Sequence, residues 1–280
     1  RTALLTRILV VVSLLGLAVV VAIGFSSAST ADPTPLPDLT AYGVLQGAGL
    51  LFFAFAGYAR IATMGEEVRD PARSIPRAIV LALTGALIVY ALVAVVVVLT
   101  LGADAATHAA PLAAVVDAAG LTVLEPVVRI AAATASLGAL LALLTGIGRT
   151  TLAMARESDL PRFLGAVHPR WQVPYRAEIL VALIVIAVVL VADLRGAIGF
   201  SSFGVLLYYL IANAAAFRQS RAARRYPRAL QVLGVLGCLL LVNTLPVVAS
   251  LIGTGIVIVG VVYRMVRLRI TRARNGTPAA

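Results

Sequence analysis

The chain contains no lysine; all 23 of its basic residues are Arg. That excludes every site that depends on a lysine amine, including the phosphate-binding P-loop and Schiff-base chemistry. Cys238 is the one cysteine, so neither an internal disulfide nor a thiolate metal cage can form. The two histidines, His108 and His168, are far apart in sequence and no HExxH motif occurs. Charge is scarce too. Only 12% of the 280 residues are charged and 61% are hydrophobic, whereas a soluble domain carries about 25% charged and 45–50% apolar residues. A mean hydropathy of +1.02 is too high for a chain whose surface must be largely polar. These shortages exclude soluble enzymes, DNA-binding modules, disordered tails and secreted disulfide scaffolds. They leave an integral membrane protein.

A helix needs about 20 apolar residues to cross roughly 30 Å of hydrocarbon. Spans are expected at about 8–24, 45–65, 78–101, 122–148, 178–192, 197–217, 229–242 and 247–263. They define an all-α polytopic membrane protein of about eight transmembrane helices, followed by a basic cytoplasmic tail over 264–280. Asn243-Thr244-Leu245-Pro246 forms the turn between the last two spans. The fifth span is short and calls for tilt or an interfacial extension.

Charge tests these spans independently of hydropathy. Alternating the loops across the membrane places 1–7, 66–77, 149–177, 218–228 and 264–280 on one side. They carry two, three, five, five and five Arg, twenty in all. The opposite loops carry Arg195 alone, and Arg60 and Arg129 fall within spans. Cytoplasmic loops hold the basic excess, so a multi-pass plasma-membrane protein with both termini of this chain in the cytoplasm is expected. The same asymmetry accounts for the net charge of +11 without nucleic acid as a partner. The partner is the lipid bilayer, whose anionic leaflet holds the Arg-rich helix ends.

The first apolar run is followed by Ser26, Ser27, Ala28 and Ser29, an arrangement that loosely imitates a signal peptide. With so many spans downstream, it reads better as a first transmembrane helix in a chain truncated at its N-terminus. The loop Asp32-Pro33-Thr34-Pro35-Leu36-Pro37-Asp38 is a stiff turn segment. The long charged loop 149–177 should contain a short surface helix.

The richest stretch is 45–77, LQGAGLLFFAFAGYARIATMGEEVRDPARSIPR. Gly47, Gly49 and Gly57 thin the helix, aromatics cluster at Phe52, Phe53, Phe55 and Tyr58, and Arg60 puts a charge inside the apolar run. A helix interrupted at mid-membrane frees backbone N–H and C=O groups, which is tolerable only where the backbone lines a cavity. Such half-helix ends bind the charged ends of a small solute. Gly57, with Phe55 and Ala56, is the candidate break. Close helix packing by small residues is the competing reading.

Two motifs carry a resemblance. Phe53-Ala54-Phe55-Ala56-Gly57-Tyr58, then Ile61-Ala62-Thr63-Met64-Gly65-Glu66-Glu67-Val68-Arg69-Asp70-Pro71 and Ile75-Pro76-Arg77, resembles the sixth helix and following loop of the amino acid–polyamine–organocation (APC) permeases. It is nearest to the cationic-amino-acid-transporter-like branch. Arg149-Thr150-Thr151-Leu152-Ala153-Met154-Ala155-Arg156-Glu157, with Leu160-Pro161-Arg162, His168-Pro169 and Pro174, is similar to the cytoplasmic end of that family's eighth helix. The resemblance implies a chain running from the fifth helix to the twelfth. That is the second inverted repeat of a LeuT-type fold plus two peripheral helices, with a missing N-terminal half as a partner. It further implies secondary active transport of an amino acid or related amine by alternating access, without a cofactor. Backbone carbonyls at Ala54, Phe55, Ala56, Gly57 and Tyr58 would face the substrate ammonium, and Phe53 would lid the substrate or else face lipid or core.

The sequence departs from the family at two points. Ala59 and then Arg60 follow the Gly-aromatic pair where many relatives have Asp or Glu, which argues against a site specialised for cationic side chains. Ser13 falls where some proton-coupled relatives have a Lys. Arg60 either snorkels to the cytoplasmic face or faces the cavity and pairs with a substrate carboxylate, since intramembrane charge is a functional candidate by default. Glu66 and Glu67 form either a solvated cluster with Arg69, Arg149 or Arg156, or an inner gate built from the same bridges. Glu125 and Arg129 are spaced for a local i,i+4 pair. Thr134 and Ser136, and Ser201 and Ser202 with Tyr208 and Tyr209, either bond locally or line the cavity. Trp171, Tyr175 and Tyr226 read as interfacial anchors. An embedded enzyme lacks its requirements: no acidic residue lies deep in a span, and the histidines sit in loops. A channel or scaffold subunit, or a non-transporting permease fragment, remains the alternative to a transporter.

Overall fold

A computed structural model of the chain describes residues 2–29, 31–55, 57, 68–157, 159–171, 173–191, 193–220, 224 and 226–274. The α-helices are α1 (Thr2–Ser27), α2 (Ala41–Leu51), α3 (Pro71–Leu101), α4 (Pro111–Ala118) and α5 (Glu125–Arg156), then α6 (Tyr175–Val191), α7 (Leu194–Phe217), α8 (Arg228–Thr244) and α9 (Val247–Arg274). Short 3-10 helices lie at Phe52–Phe55, Ala103–Ala106, Thr122–Leu124 and Arg162–Gly165. Among the described residues, five helices are long and apolar enough to cross a membrane: α1, α3, α5 with the turn before it, α7 and α9. The α2 segment through Phe55, and α8, are shorter apolar helices. Large apolar side chains point outward along these helices, with Leu81 73%, Val191 87% and Val259 69% exposed, as lipid-facing surfaces require. The result is an all-helical, multi-pass membrane protein.

Local chemistry sets the helix starts. Thr40 caps α2, its hydroxyl accepting from the Gly43 amide at 3.0 Å, and Asp193 caps α7 through the Gly196 amide at 3.1 Å. Pro71 and Pro111 occupy the first turns of α3 and α4, where a missing N–H costs nothing. Apolar runs alone set some ends differently. Helix α3 begins at Pro71 rather than near 78, and the stretch after Tyr263, expected as a tail, stays helical to Arg274. The loop 102–121 contains α4, whose Ala113, Val115 and Val116 are buried. The loop 149–177 holds the end of α5 and the 3-10 helix Arg162–Gly165.

The chain divides into two compact units. One comprises Arg1–Leu39, Tyr58–Ala153 and Ala166–Glu178; the other comprises Thr40–Gly57, Met154–Gly165 and Ile179–Ala280. In the first, Val20 and Ile23 of α1 pack with Val96 and Leu101 of α3, Val115 and Val116 of α4, and Val128 of α5. Glycines allow the close approach. A Cβ at Gly16 would overlap Ala131, and one at Gly24 would overlap Val96, the small-residue contact that membrane helices use. Val96 is fully buried and has nowhere to move. Gly24→Ala is therefore expected to destabilise this unit by about 1–3 kcal/mol, the usual range for overpacking. A lowered thermal unfolding midpoint in detergent would show it.

The Pro-rich segment of the same unit is clasped to the end of α3. The Thr34 carbonyl accepts from the Ala103 amide at 3.2 Å. The Thr34 hydroxyl donates to the Leu101 carbonyl at 2.9 Å and accepts from the Asp104 amide at 2.9 Å. Gly102, at φ +58° and ψ −133°, lies against Thr34 in the turn.

In the second unit, Phe203 and Leu206 of α7, Cys238 of α8 and Leu245 form the core, joined by Leu50 and Phe52. Gly253 of α9 takes the Phe203 ring against its backbone, and Gly199 of α7 does the same for Ala249. Leu245–Pro246 link α8 to α9; Asn243 and Thr244, expected in the turn, are the last residues of α8.

Candidate functional site

The segment that carries the predicted break begins as regular α-helix at Ala41 and leaves α geometry after Leu51. Phe52–Phe55 form a 3-10 turn, and Gly57 follows in a turn. At this end the Phe52 amide bonds back to the Ala48 and Leu50 carbonyls. Phe53 and Ala54 are exposed, Phe55 is half-buried and Gly57 is exposed. No described atom lies within 4 Å of where a Cβ on Gly57 would sit. Ala56, Tyr58 and Arg60 lie outside the described residues, as do Glu66 and Glu67.

Polar contacts from two other helices hold α2 in place. Gln46 Nε2 donates to the Thr244 carbonyl at 3.0 Å. Thr244 Oγ1 donates to the Leu45 carbonyl at 3.2 Å, and to Leu241 in its own helix at 2.8 Å. Gly49 brings α2 close to the Leu241 carbonyl, 3.3 Å from where its Cβ would be. At the far end of α2, the fully buried Ser202 of α7 donates through Oγ to the Leu50 carbonyl at 3.3 Å. Phe52 meets Tyr209 edge-on, with ring centroids 5.7 Å apart, and Tyr209 in turn meets Tyr208 at 5.2 Å.

Other residues singled out by sequence resolve into local roles. Thr134 donates to the Ala131 carbonyl at 2.8 Å, and Ser13 to the Leu9 carbonyl at 2.7 Å; both hydroxyls are satisfied within their own helices. Arg129 Nε donates to Glu125 Oε1 at 2.9 Å, the expected i,i+4 pair. Arg149 and Arg156 are exposed on α5, seven positions apart and thus on one helix face about 10 Å from each other along the axis. Trp171 is 67% exposed and stacks on His168 at 4.4 Å. Sequence reasoning did not find Gln46 or Thr244. Only polarity inside an apolar run marked them, and their partners lie 198 and 199 residues away.

Comparison with known proteins supplies the identity of this arrangement. A profile of the family described as amino acid permease matches residues 3–273. The chain belongs to the amino acid permease family. An uncharacterized transporter of Mycobacterium tuberculosis (strain H37Rv) is 53% identical over 281 residues, covering 99% of this chain and 64% of that protein. The chain thus spans less than two-thirds of the length of that relative. Cationic amino acid transporter 4 of Homo sapiens is 31% identical over 202 residues, 71% of this chain and 32% of that protein. Cationic amino acid transporter 7, chloroplastic, of Arabidopsis thaliana is 29% identical over 179 residues, 63% of this chain and 31% of that protein. The family is one of permeases and not of enzymes.

Proposed function

We propose that this chain supplies the substrate-binding broken helix of a secondary active transporter of amino acids or related amines. It works by alternating access in the plasma membrane, with both ends of this chain on the cytoplasmic side. Helices α2 to α7 form the second inverted repeat, α8 and α9 are peripheral, and α1 precedes the repeat. The missing first repeat completes the cavity. The observation that carries this reading is the end of α-helical geometry at Leu51, followed by a 3-10 turn and an exposed Gly57, in a chain of permease ancestry. Carbonyls at 54–58 hold the substrate ammonium, Phe53 covers it, and Glu66 and Glu67 close an inner gate with Arg149 and Arg156. Backbone groups of this kind suit a small charged solute at mid-membrane.

The substrate side chain is read as uncharged. Ala59 and Arg60 stand where the resemblance calls for an acid, and a positive charge in that stretch repels a cationic side chain. The printed names of the human and Arabidopsis relatives favour a second reading, a cationic amino acid. Uptake by the complete reading frame in proteoliposomes decides between them: tritiated L-leucine should enter, and excess L-arginine should not compete. Phe53→Ala is expected to raise the KM for uptake about tenfold, which corresponds to about 1.4 kcal/mol of lost aromatic cover. An unchanged KM would remove Phe53 from the site.

A further inference from the structure

Nothing in the local sequence ends α2 where it ends. Gly49-Leu50-Leu51-Phe52-Phe53-Ala54-Phe55 contains no proline, and its Leu and Ala are good helix formers. The stop is imposed from outside. Three residues of α7 at helical i, i+4 and i+7 spacing form the contact face: Ser202, Leu206 and Tyr209. Ser202 and Leu206 are fully buried. Ser202 Oγ donates to the carbonyl of Leu50, one residue before the α-helix ends, and the Tyr209 ring receives Phe52, the first residue of the 3-10 turn. Leu206 fills the core between the two, together with Leu50 and Phe52. The Leu50 carbonyl takes two donors, the Phe52 amide of its own turn and the buried Ser202 hydroxyl, and the second, which comes from another helix, marks the register at which the helix opens.

We propose that Ser202 is a positioning residue: it fixes the end of α2 and so places the carbonyls that follow, acting through Leu50 rather than on the solute. Tyr209 holds the start of the turn through the Phe52 ring. Thr244 holds the middle of the same helix at Leu45 and Gln46, and the three contacts make α2 and α7–α8 one mechanical piece. The geometry stands on its own. Only its consequence for uptake rests on the substrate-binding role of 53–58.

Amide hydrogen exchange on the purified chain, followed in peptides covering 45–57, tests the proposal without any transport assay. Ser202→Ala should speed exchange over 50–55 about fivefold, the equivalent of one ordinary hydrogen bond, while peptides from α3 and α5 stay as in wild type. In the complete protein the same change should raise the KM for L-leucine several-fold with maximal uptake little altered. Tyr209→Leu, which leaves the Ser202 hydroxyl in place, should loosen 52–55 but protect Leu50 better than Ser202→Ala does. Unchanged exchange over 50–55 in Ser202→Ala overturns the proposal, as does a uniform rise across all helices, which would mean a general loss of stability. If exchange changes locally while neither Ser202→Ala nor Phe53→Ala alters uptake, Ser202 positions the helix end and the substrate role of that end falls.

Discussion

Gly102→Val is expected to undo the turn at the end of α3, at a cost of the order of 4 kcal/mol. Two effects add. At φ +58° and ψ −133° the backbone is in a region that a β-branched residue enters only under strain, costing about 1–3 kcal/mol. A Cβ there would also lie 2.8 Å from the Thr34 amide nitrogen and 2.9 Å from its carbonyl carbon, and closer still to the carbonyl oxygen. These neighbours are backbone, so no rotamer change relieves the clash, and Thr34 must withdraw. Its withdrawal breaks the bonds to Ala103, Leu101 and Asp104, each worth about 1 kcal/mol. The Pro-rich segment then loses its anchor. Limited proteolysis should cut within 28–40 in the variant and not in wild type, and the unfolding midpoint should fall. Thr34→Ala, which keeps the backbone contact and loses only the hydroxyl bonds, should show a smaller change in the same direction. Equal protection of Gly102→Val and wild type would show that the clasp does not hold the segment.

Much of the helical layout is legible in the sequence because crossing a membrane imposes a length. Runs such as Ile8 to Ile23 or Val247 to Tyr263 have no other ready explanation, and the helices sit on them. Hydropathy marks where lipid ends, however, and not where the helix ends. Helix α9 runs on through Arg264, Arg267 and Arg269 because Arg is a good helix former and its long side chain reaches water without unwinding the backbone. Helix α3 starts early because Pro71 suits a first turn, and the Arg73, Ser74 and Arg77 that follow hide its first turns from an apolar window. The short α4 escaped notice because eight residues cannot span a bilayer, though its valines are buried.

The site was legible in part, and the division has a physical cause. Gly57 and the surrounding aromatics signal a departure from regular helix through local chemistry. The α geometry ends several residues earlier, at Leu51, where the deciding group is a serine 152 residues from its acceptor. No periodicity within 45–65 encodes that contact. The same is true of Thr34 with Leu101 and Asp104, 67 and 70 residues apart. Local pairs such as Glu125 with Arg129 could be read directly, because helical spacing alone brings them together.

Gly57→Leu is expected to abolish uptake while leaving the unfolding midpoint within a degree or two of wild type. Most large-for-small changes at a helix–helix contact do the reverse: they destabilise first, and function follows stability down. Position 57 differs from Gly16, Gly24 and Gly253, whose added Cβ would overlap a neighbouring side chain. At Gly57 no described atom lies within 4 Å of the added carbon and the residue is exposed, so an added Cβ meets none of the described protein there. If that space is where the solute's ammonium group meets the carbonyls of 54–58, the side chain occupies the solute's place. Alanine provides the graded control. A single methyl adds far less bulk than leucine, and Gly57→Ala should keep measurable uptake with a raised KM. Leucine with full uptake would show that the solute passes elsewhere. Leucine with uptake and the midpoint both collapsed would assign Gly57 to packing, and the close-packing reading of the glycines would then replace the broken-helix one.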